Sequence, residues 1–160
     1  MSDMLVNLTI LDRYTQDLPD LNKEGINVRR AMPYDRTHIL EFVNKHFGAG
    51  WASEVQMSFS QHPVTCYIAT YESSIVGFAA FECTSRDYFG PTGVDEAFRK
   101  RGIGQLLLVR SMQALREMGY AYAVIGGAGP QDFYKRCVGA ILIEDSSPGV
   151  YVDMLKPLET

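Results

Sequence analysis

The stretch VDEAFRKRGIG, which runs from Val94 to Gly104, decides how this 160-residue chain is interpreted. A strand pattern of aromatic and β-branched residues leads into it, and a long amphipathic helix pattern begins at Ile103. Two glycines and three consecutive cations, Arg99–Arg101, occupy the turn. The first N–H groups of a helix lack intrahelical partners, and glycine lets a backbone approach a ligand closely. The turn is therefore predicted to bind an anion, and a diphosphate suits several converging N–H groups.

A solvated basic surface turn is the competing interpretation of a lone Gly-x-Gly after a strand. Two known nucleotide-binding loops are excluded by the residues themselves. A Walker loop needs Gly-Lys-Ser/Thr, whereas Gln105-Leu106 follows Gly104. A dinucleotide-binding turn needs a third glycine inside a parallel βαβ unit, and the strand patterns before this turn are typical of antiparallel hairpins.

Strand and helix patterns extend outward from the turn in both directions. Strands are predicted at Ile26–Ala31, Val64–Tyr71, Ile75–Thr84, Arg86–Val94, Ala121–Gly126, Ala140–Glu144 and Gly149–Leu155, the last two as a closing pair. Helices are predicted at Pro33–Phe47, Trp51–Ser60, Ile103–Gly119 and Pro130–Cys137. Because proline cannot donate a ladder hydrogen bond, an irregularity is expected at Gly90-Pro91. This order predicts a mixed sheet with helices on both faces.

Composition limits the class of protein further. The formal net charge is -4, 46% of residues are hydrophobic and 21% are charged, as expected of one globular domain. The charge gives no reason to expect a nucleic acid partner. Three scattered cysteines indicate neither a disulfide framework nor a metal site. No apolar run approaches the roughly 20 residues of a membrane span, so no membrane partner and a cytoplasmic location are expected.

The loop resembles a known motif. Arg99-x-x-Gly102-x-Gly104 matches the Arg/Gln-x-x-Gly-x-Gly/Ala motif of the GNAT superfamily of acyl-CoA N-acyltransferases. Phe133-Tyr134-Lys135-Arg136 is similar to the Phe-Tyr segment of that family's penultimate helix. The element order matches over Ile26–Leu155, and the motifs match in detail at residues 94–107 and 133–140.

The resemblance implies an α+β fold, a GNAT-like, mostly antiparallel sheet of about six or seven strands. Residues 26–160 would form the acyltransferase domain, and residues 1–25 an N-terminal arm with one short strand or helix at Leu5–Leu11. The family uses acetyl-CoA as cosubstrate and no metal. The implied cofactor-binding residues are Thr92, Gly93, Val94, Arg99, Lys100, Arg101, Gly102, Ile103, Gly104, Gln105 and Phe133. The strand that ends at Val94 would bind the pantetheine arm, and it would splay away from the strand at Ala121–Gly126.

Catalytic roles follow from the same resemblance. Tyr134 matches the family's general acid, since a neutral phenol can give a proton to a leaving thiolate; a packing role for this side chain is the alternative. Glu82 or Asp87 is the candidate base for the amine proton, and a solvated edge position is the alternative for each. Trp51 and Phe89 are candidates for the acceptor pocket, although a single tryptophan also suits a core.

The sequence departs from the family pattern after Tyr134. Gly139 follows it by five positions where four is commoner, Ala140 replaces a usual phenylalanine, and Gly126–Gly129 stands where an asparagine often binds CoA.

Three functions stay open. The first is acetyl transfer to a primary amine of a small molecule or peptide, by direct attack in a ternary complex. The second is a catalytically degenerate acyl-CoA-binding regulatory module. The third is a structural protein that dimerises through its apolar N-terminal arm. A homodimer is compatible with all three.

Overall fold

A computed structural model describes residues 1–159, and a seven-stranded sheet runs through them. The strands are β1 (Met4–Asn7), β2 (Ile26–Arg30), β3 (Cys66–Tyr71), β4 (Ser74–Phe81), β5 (Tyr88–Val94), β6 (Tyr122–Ile125) and β7 (Ile141–Leu142). The α-helices are α1 (Arg36–Phe47), α2 (Ala49–Gln56), α3 (Ile103–Glu117) and α4 (Gln131–Val138). The spatial order is β2-β3-β4-β5-β6-β1-β7, and only β5 and β6 pair in parallel. The predicted mixed, mostly antiparallel sheet is confirmed.

Helices cover both faces of the sheet because the central strands alternate their apolar side chains. On β4, Phe78 and Ala80 join a core with α1 and α2. Ala79 and Phe81, which point the other way, join the larger core with α3 and α4. The α3 residues Leu107 and Leu108 are fully buried on that second face. This central helix is therefore fixed to the sheet along its length, as its amphipathic pattern predicted.

A hairpin turn and a predicted bulge shape the central strands. The β3–β4 turn at Glu72-Ser73 has positive φ at both residues, which is typical of a type I′ hairpin turn. On β5, Gly90 and Pro91 stand opposite the single residue Ala80, so the strand has a bulge where the proline indicated an irregularity.

The N-terminal residues take part in the sheet. β1 lies between β6 and β7, and the chain then forms a 3-10 helix from Leu8 to Tyr14. Four apolar side chains of β1 and this 3-10 helix are completely buried in the same core as α3: Met4, Val6, Leu8 and Leu11. Dimerisation through these side chains, the third hypothesis, is therefore wrong, since they are not at the surface.

The closing strand pair predicted at the C-terminus is wrong. β7 contains two residues and pairs with β1, and no strand forms at Gly149–Leu155 within the described part of the chain. The reason is that the turn after β7 folds back onto the N-terminus, where the Asp3 N–H donates to Ser146 Oγ at 2.8 Å. The alternating apolar residues Val150 and Val152 therefore do not join the sheet, and both are exposed.

Among residues 1–159, no helix combines the length and the apolar character that a bilayer-spanning segment needs.

Candidate functional site

A wedge opens between the two parallel strands at the centre of the sheet. β5 and β6 pair only at Tyr88–Val124 and Phe89–Ile125, and the Gly126 N–H reaches the Phe89 carbonyl at 3.4 Å. Beyond that point β5 stays paired with β4 as far as Val94, whereas its other edge has no strand partner. The opening forms a cleft of ≈ 790 Å³. The sheet is thus split at the strand that leads into the glycine turn, as the resemblance implied.

Most residues predicted from the sequence line this cleft. From the predicted set, the lining includes Trp51, Phe89, Thr92, Gly93, Val94, Arg99, Lys100, Gly102, Ile103, Gly104, Gln105, Phe133 and Tyr134. The structure brings these together from α2, β5, the start of α3, and α4. Arg101, Glu82 and Asp87 are not part of the lining.

The turn before α3 presents a row of free backbone donors. The N–H groups of Lys100 through Gln105 have no hydrogen-bond acceptor among residues 1–159, and the next one along, that of Leu106, begins the helical pattern by donating to the Gly102 carbonyl at 3.1 Å. Lys100 and Gly102 both have positive φ, 66° and 87°, which turns the chain sharply at this point. Successive free N–H groups at the positive end of a helix dipole form an anion-binding concavity.

Gly102 has a second structural role that the sequence did not reveal. A Cβ at this position would lie 2.6 Å from Cγ of Pro19, a residue of the N-terminal segment. Residue 102 therefore has to be glycine both for its backbone conformation and for this close contact. The N-terminal segment thus packs against the turn through Pro19, which does not line the cleft.

The basic side chains at and near the turn make different contacts. Arg99 lines the cleft, and its Nε donates to the Val94 carbonyl at 3.1 Å, which ties the turn to the end of β5. Arg101 lies over the Phe98 ring at 5.1 Å, outside the cleft. Arg136 of α4 lines the cleft and was missed from the sequence. Its spacing of three from Phe133, which puts both on one side of the helix, was the available signal.

Tyr134 is buried at the inner end of the cleft. Its side chain is 6% exposed and makes edge-to-face contacts with Phe89 and Phe133. Burial, with a smaller contribution from Cys137, raises the pKa of Tyr134 to about 12. The phenol is therefore neutral at physiological pH and keeps a proton that it can donate.

Glu82 and Asp87 lie together away from the cleft lining. The Asp87 N–H donates to Glu82 Oε1, and both residues have positive φ. Burial, and then the nearby Glu82 carboxylate, raise the pKa of Asp87 to about 6. Asp87 Oδ1 is buried and has no hydrogen-bond partner among the described residues. Neither carboxylate is among the residues that line the cleft, and the base role of either one stays a prediction.

Aromatic rings form the wall of the cleft on the α1–α2 side. Phe47 stacks on Trp51 with ring centroids 5.3 Å apart, and Trp51 stays 39% exposed. A Cβ at Gly93 would come within 2.7 Å of the Phe47 ring, so the glycine lets α1 approach β5 closely. Trp51 thus packs on the core with one face and lines the cleft as well, and its place in an acceptor pocket stays a prediction.

Comparison with known proteins gives a consistent result. No curated protein sequence matches the chain. Residues 62–137 match the family model described as the acetyltransferase (GNAT) domain.

Solved structures share the fold at low identity. A GCN5-related glucosamine N-acetyltransferase region of a fungal multi-domain GH3 β-N-acetylglucosaminidase has a TM-score of 0.69 and 19% identity, over 89% of this chain and 19% of that one. A functionally unknown protein from Staphylococcus epidermidis has a TM-score of 0.57 and 16% identity, over 89% and 57%. A GNAT family acetyltransferase from Brucella melitensis in complex with acetyl-CoA has a TM-score of 0.51 and 18% identity, over 69% and 80%.

The chain thus spans less than two thirds of the fungal and staphylococcal proteins. The family segment runs from the residues before β3 into α4, so it contains the wedge, the glycine turn and Tyr134. Residues 62–137 therefore match the model of the acetyltransferase (GNAT) domain, and the chain shares its fold with solved structures that include GNAT acetyltransferases.

Proposed function

We propose that this protein is an N-acetyltransferase that transfers the acetyl group of acetyl-CoA to a primary amine of a small molecule or peptide, by direct attack in a ternary complex. The observation that supports it most is the row of free N–H groups from Lys100 to Gln105 at the mouth of the β5–β6 wedge. These donors suit the pyrophosphate of acetyl-CoA because they are adjacent, unpaired and at a helix N-terminus.

The side chains near this row complement a polyanionic cosubstrate. Arg99, Lys100 and Arg136 line the same cleft, so three cations face the proposed position of the phosphates. Arg101 would contribute its backbone N–H while its side chain stays on Phe98. Along β5, residues Thr92–Val94 have an edge without a strand partner, which suits hydrogen bonds to the amides of a pantetheine arm.

Acetyl-CoA supplies an activated thioester, and the chain's contribution is to orient it and to manage protons. Tyr134 holds its proton on a buried hydroxyl at the inner end of the cleft, where the sulfur of the thioester would lie. We assign it the role of general acid for the leaving thiolate. The C–N bond forms as the C–S bond breaks, the thiolate takes the Tyr134 proton, and the amine proton passes to solvent.

Glu82 and Asp87 take no part in this proposal, because neither lines the cleft. A thioester is reactive toward a neutral amine, so holding the two reactants in contact can provide much of the rate enhancement. The rigid aromatic wall of Phe47 and Trp51 and the fixed strand β5 are suited to that positioning.

Release of CoA thiol from acetyl-CoA in the presence of a panel of primary amines tests the proposal. We expect thiol release that depends on both the protein and the amine, with one acetylated amine formed per thiol. Titration calorimetry with CoA is the matched binding measurement. Binding of CoA without turnover across the panel would favour the regulatory acyl-CoA-binding module instead, and absence of any binding would reject both.

A further inference from the structure

The apex of the β5–β6 wedge has two faces, and aromatic residues occupy each. On the α3–α4 face, Phe89 and Tyr134 make edge-to-face contact, and the free N–H groups of the turn lie on the same side of the cleft. On the α1–α2 face, Tyr88 lies at the apex beside Tyr151 from the C-terminal segment. The cleft also reaches Phe47 and Trp51, so it extends to the α1–α2 face as well.

The hydroxyl of Tyr151 lies directly against the apex. A Cβ at Gly126 would come within 2.9 Å of the Tyr88 ring and would collide with Tyr151 Oη. Residue 126 therefore has no side chain to separate this hydroxyl from the backbone that lines the cleft. The segment that carries Tyr151 is held in place, because the Tyr151 N–H donates to the Pro148 carbonyl at 3.0 Å and Ser146 Oγ accepts from Asp3.

The charges near Tyr151 are negative. Glu54 Oε1 accepts a hydrogen bond from Thr84 Oγ1 at 2.6 Å, which fixes the carboxylate and leaves its Oε2 free of protein donors among the described residues. Asp3 accepts from the Tyr88 hydroxyl and from the Gly127 N–H, so it is already satisfied. Burial, followed by the charge of Glu54, raises the pKa of Tyr151, which keeps this phenol neutral and able to hydrogen-bond.

Glu54 and Trp51 lie on the same side of α2. Trp51 and Glu54 are three residues apart in this helix, so their side chains are neighbours. Trp51 presents an exposed ring to the cleft, and aromatic faces attract cations. An aromatic ring and a carboxylate with a free oxygen thus lie one turn apart on α2, and the charge of that carboxylate acts on the Tyr151 hydroxyl. A ring, a carboxylate and a neutral hydroxyl are a combination suited to an organic cation.

We propose that Trp51, Glu54 and Tyr151 form the acceptor subsite, and that they select an aliphatic amine carrying a second positive charge, such as a diamine. This inference rests on the proposed N-acetyltransferase function. Tyr151 and Glu54 lie beside the cleft and are not part of its lining, but the Tyr151 hydroxyl lies against Gly126, which is. From there it accepts a hydrogen bond from the N–H of the reacting amine. The distal ammonium group lies between the Trp51 ring and Glu54 Oε2. The acceptor enters from the α1–α2 face, opposite the general acid Tyr134.

The test compares diaminobutane with pentylamine, which has the same chain length but ends in a methyl group. We expect wild-type protein to favour the diamine in kcat/KM by about tenfold or more, the size typical of a hydrogen bond to a charged group. In Glu54→Gln that ratio should fall to about one, because the amide keeps the shape and removes the charge. In Tyr151→Phe both amines should lose kcat/KM, because the hydroxyl contacts the amine that they share.

Glu41→Gln is the matched control, since it removes an exposed carboxylate from α1 and should leave the ratio at its wild-type value. Equal melting temperatures and equal CoA affinities would show that the variants are folded. A wild-type ratio near one, or an unchanged ratio in Glu54→Gln, overturns the inference while the proposed function stands. If neither amine is acetylated, the inference about the acceptor subsite is also overturned. Thiol release with the rest of the amine panel would then decide whether the proposed function holds.

Discussion

Replacing Gly104 by glutamate, with alanine as the matched control, tests the position of the pyrophosphate directly. Gly104 lines the cleft in the first turn of α3 and has no positive φ. A Cβ there would lie 3.7 Å from Phe133 Cζ and 3.9 Å from Val94 Cγ2, which are ordinary contact distances. Both variants should therefore fold. Alanine gains up to about 1 kcal/mol of helix propensity, and an acidic residue in the first turn gains about 0.3–1 kcal/mol from the helix dipole.

The expected effect on CoA binding can be estimated from charge alone. A carboxylate on residue 104 would lie about 5 Å from each of two phosphates, and at an effective dielectric constant of about 40 each pair repels by about 1.7 kcal/mol. The sum, about 3 kcal/mol, corresponds to roughly a 200-fold loss of affinity. Gly104→Ala should lose less than about threefold, because the backbone donors are unchanged.

Titration calorimetry with CoA, together with thermal melting of all three proteins, measures both quantities. If Gly104→Glu melts no lower than wild type and still binds CoA within about threefold of Gly104→Ala, the phosphates do not lie at the start of α3 and the proposed function loses its main support.

Three further predictions concern Tyr134, Gly102 and Asp87. Tyr134→Phe should lower kcat by about 100-fold with little change in acetyl-CoA affinity, as loss of a general acid requires. Equal losses in kcat and in acetyl-CoA affinity would indicate a packing role. Replacement of the exposed Tyr122 by phenylalanine is the control. Gly102→Ala should lower stability more than Gly119→Ala. Both positions have positive φ, but only a side chain at residue 102 would also clash with Pro19. Equal unfolding midpoints of the two variants in urea would contradict that contact. The pKa of Asp87 is raised in the folded state from 3.8 to about 6, so the folded protein binds this proton more tightly and stability falls as pH rises through that window. Asp87→Asn should therefore stabilise the protein more at about pH 8 than at about pH 4, and an equal gain at both would show that the carboxyl titrates normally.

The predictions that agree with the structure rest on local sequence patterns. The glycine turn, the start of α3 at Ile103 and the Phe133-Tyr134 pair depend on residues close together in the chain, and the structure has each where the sequence placed it. The β5 bulge follows from the missing N–H of Pro91.

The errors and omissions are non-local. Gly149–Leu155 alternates like a strand, but the turn after β7 is held by a hydrogen bond between Ser146 and Asp3, a residue distant in sequence, and the segment does not return to the edge of β7. Nothing near Gly102 in sequence indicates Pro19 as its neighbour. The pattern places Glu82 and Asp87 at the ends of strands, yet a strand end does not show which cavity a side chain approaches, and these two lie outside the cleft.

The position of β1 has a consequence for biosynthesis. Met4–Asn7 leave the ribosome before the two strands that flank them, β6 and β7, which begin at Tyr122 and Ile141. The nascent polypeptide must therefore keep an unpaired apolar segment until β6 and β7 have been synthesised, and such long-range closure slows folding and exposes intermediates to aggregation. Chaperone dependence during expression should accordingly be decided by residues 4–11, far in sequence from the glycine turn.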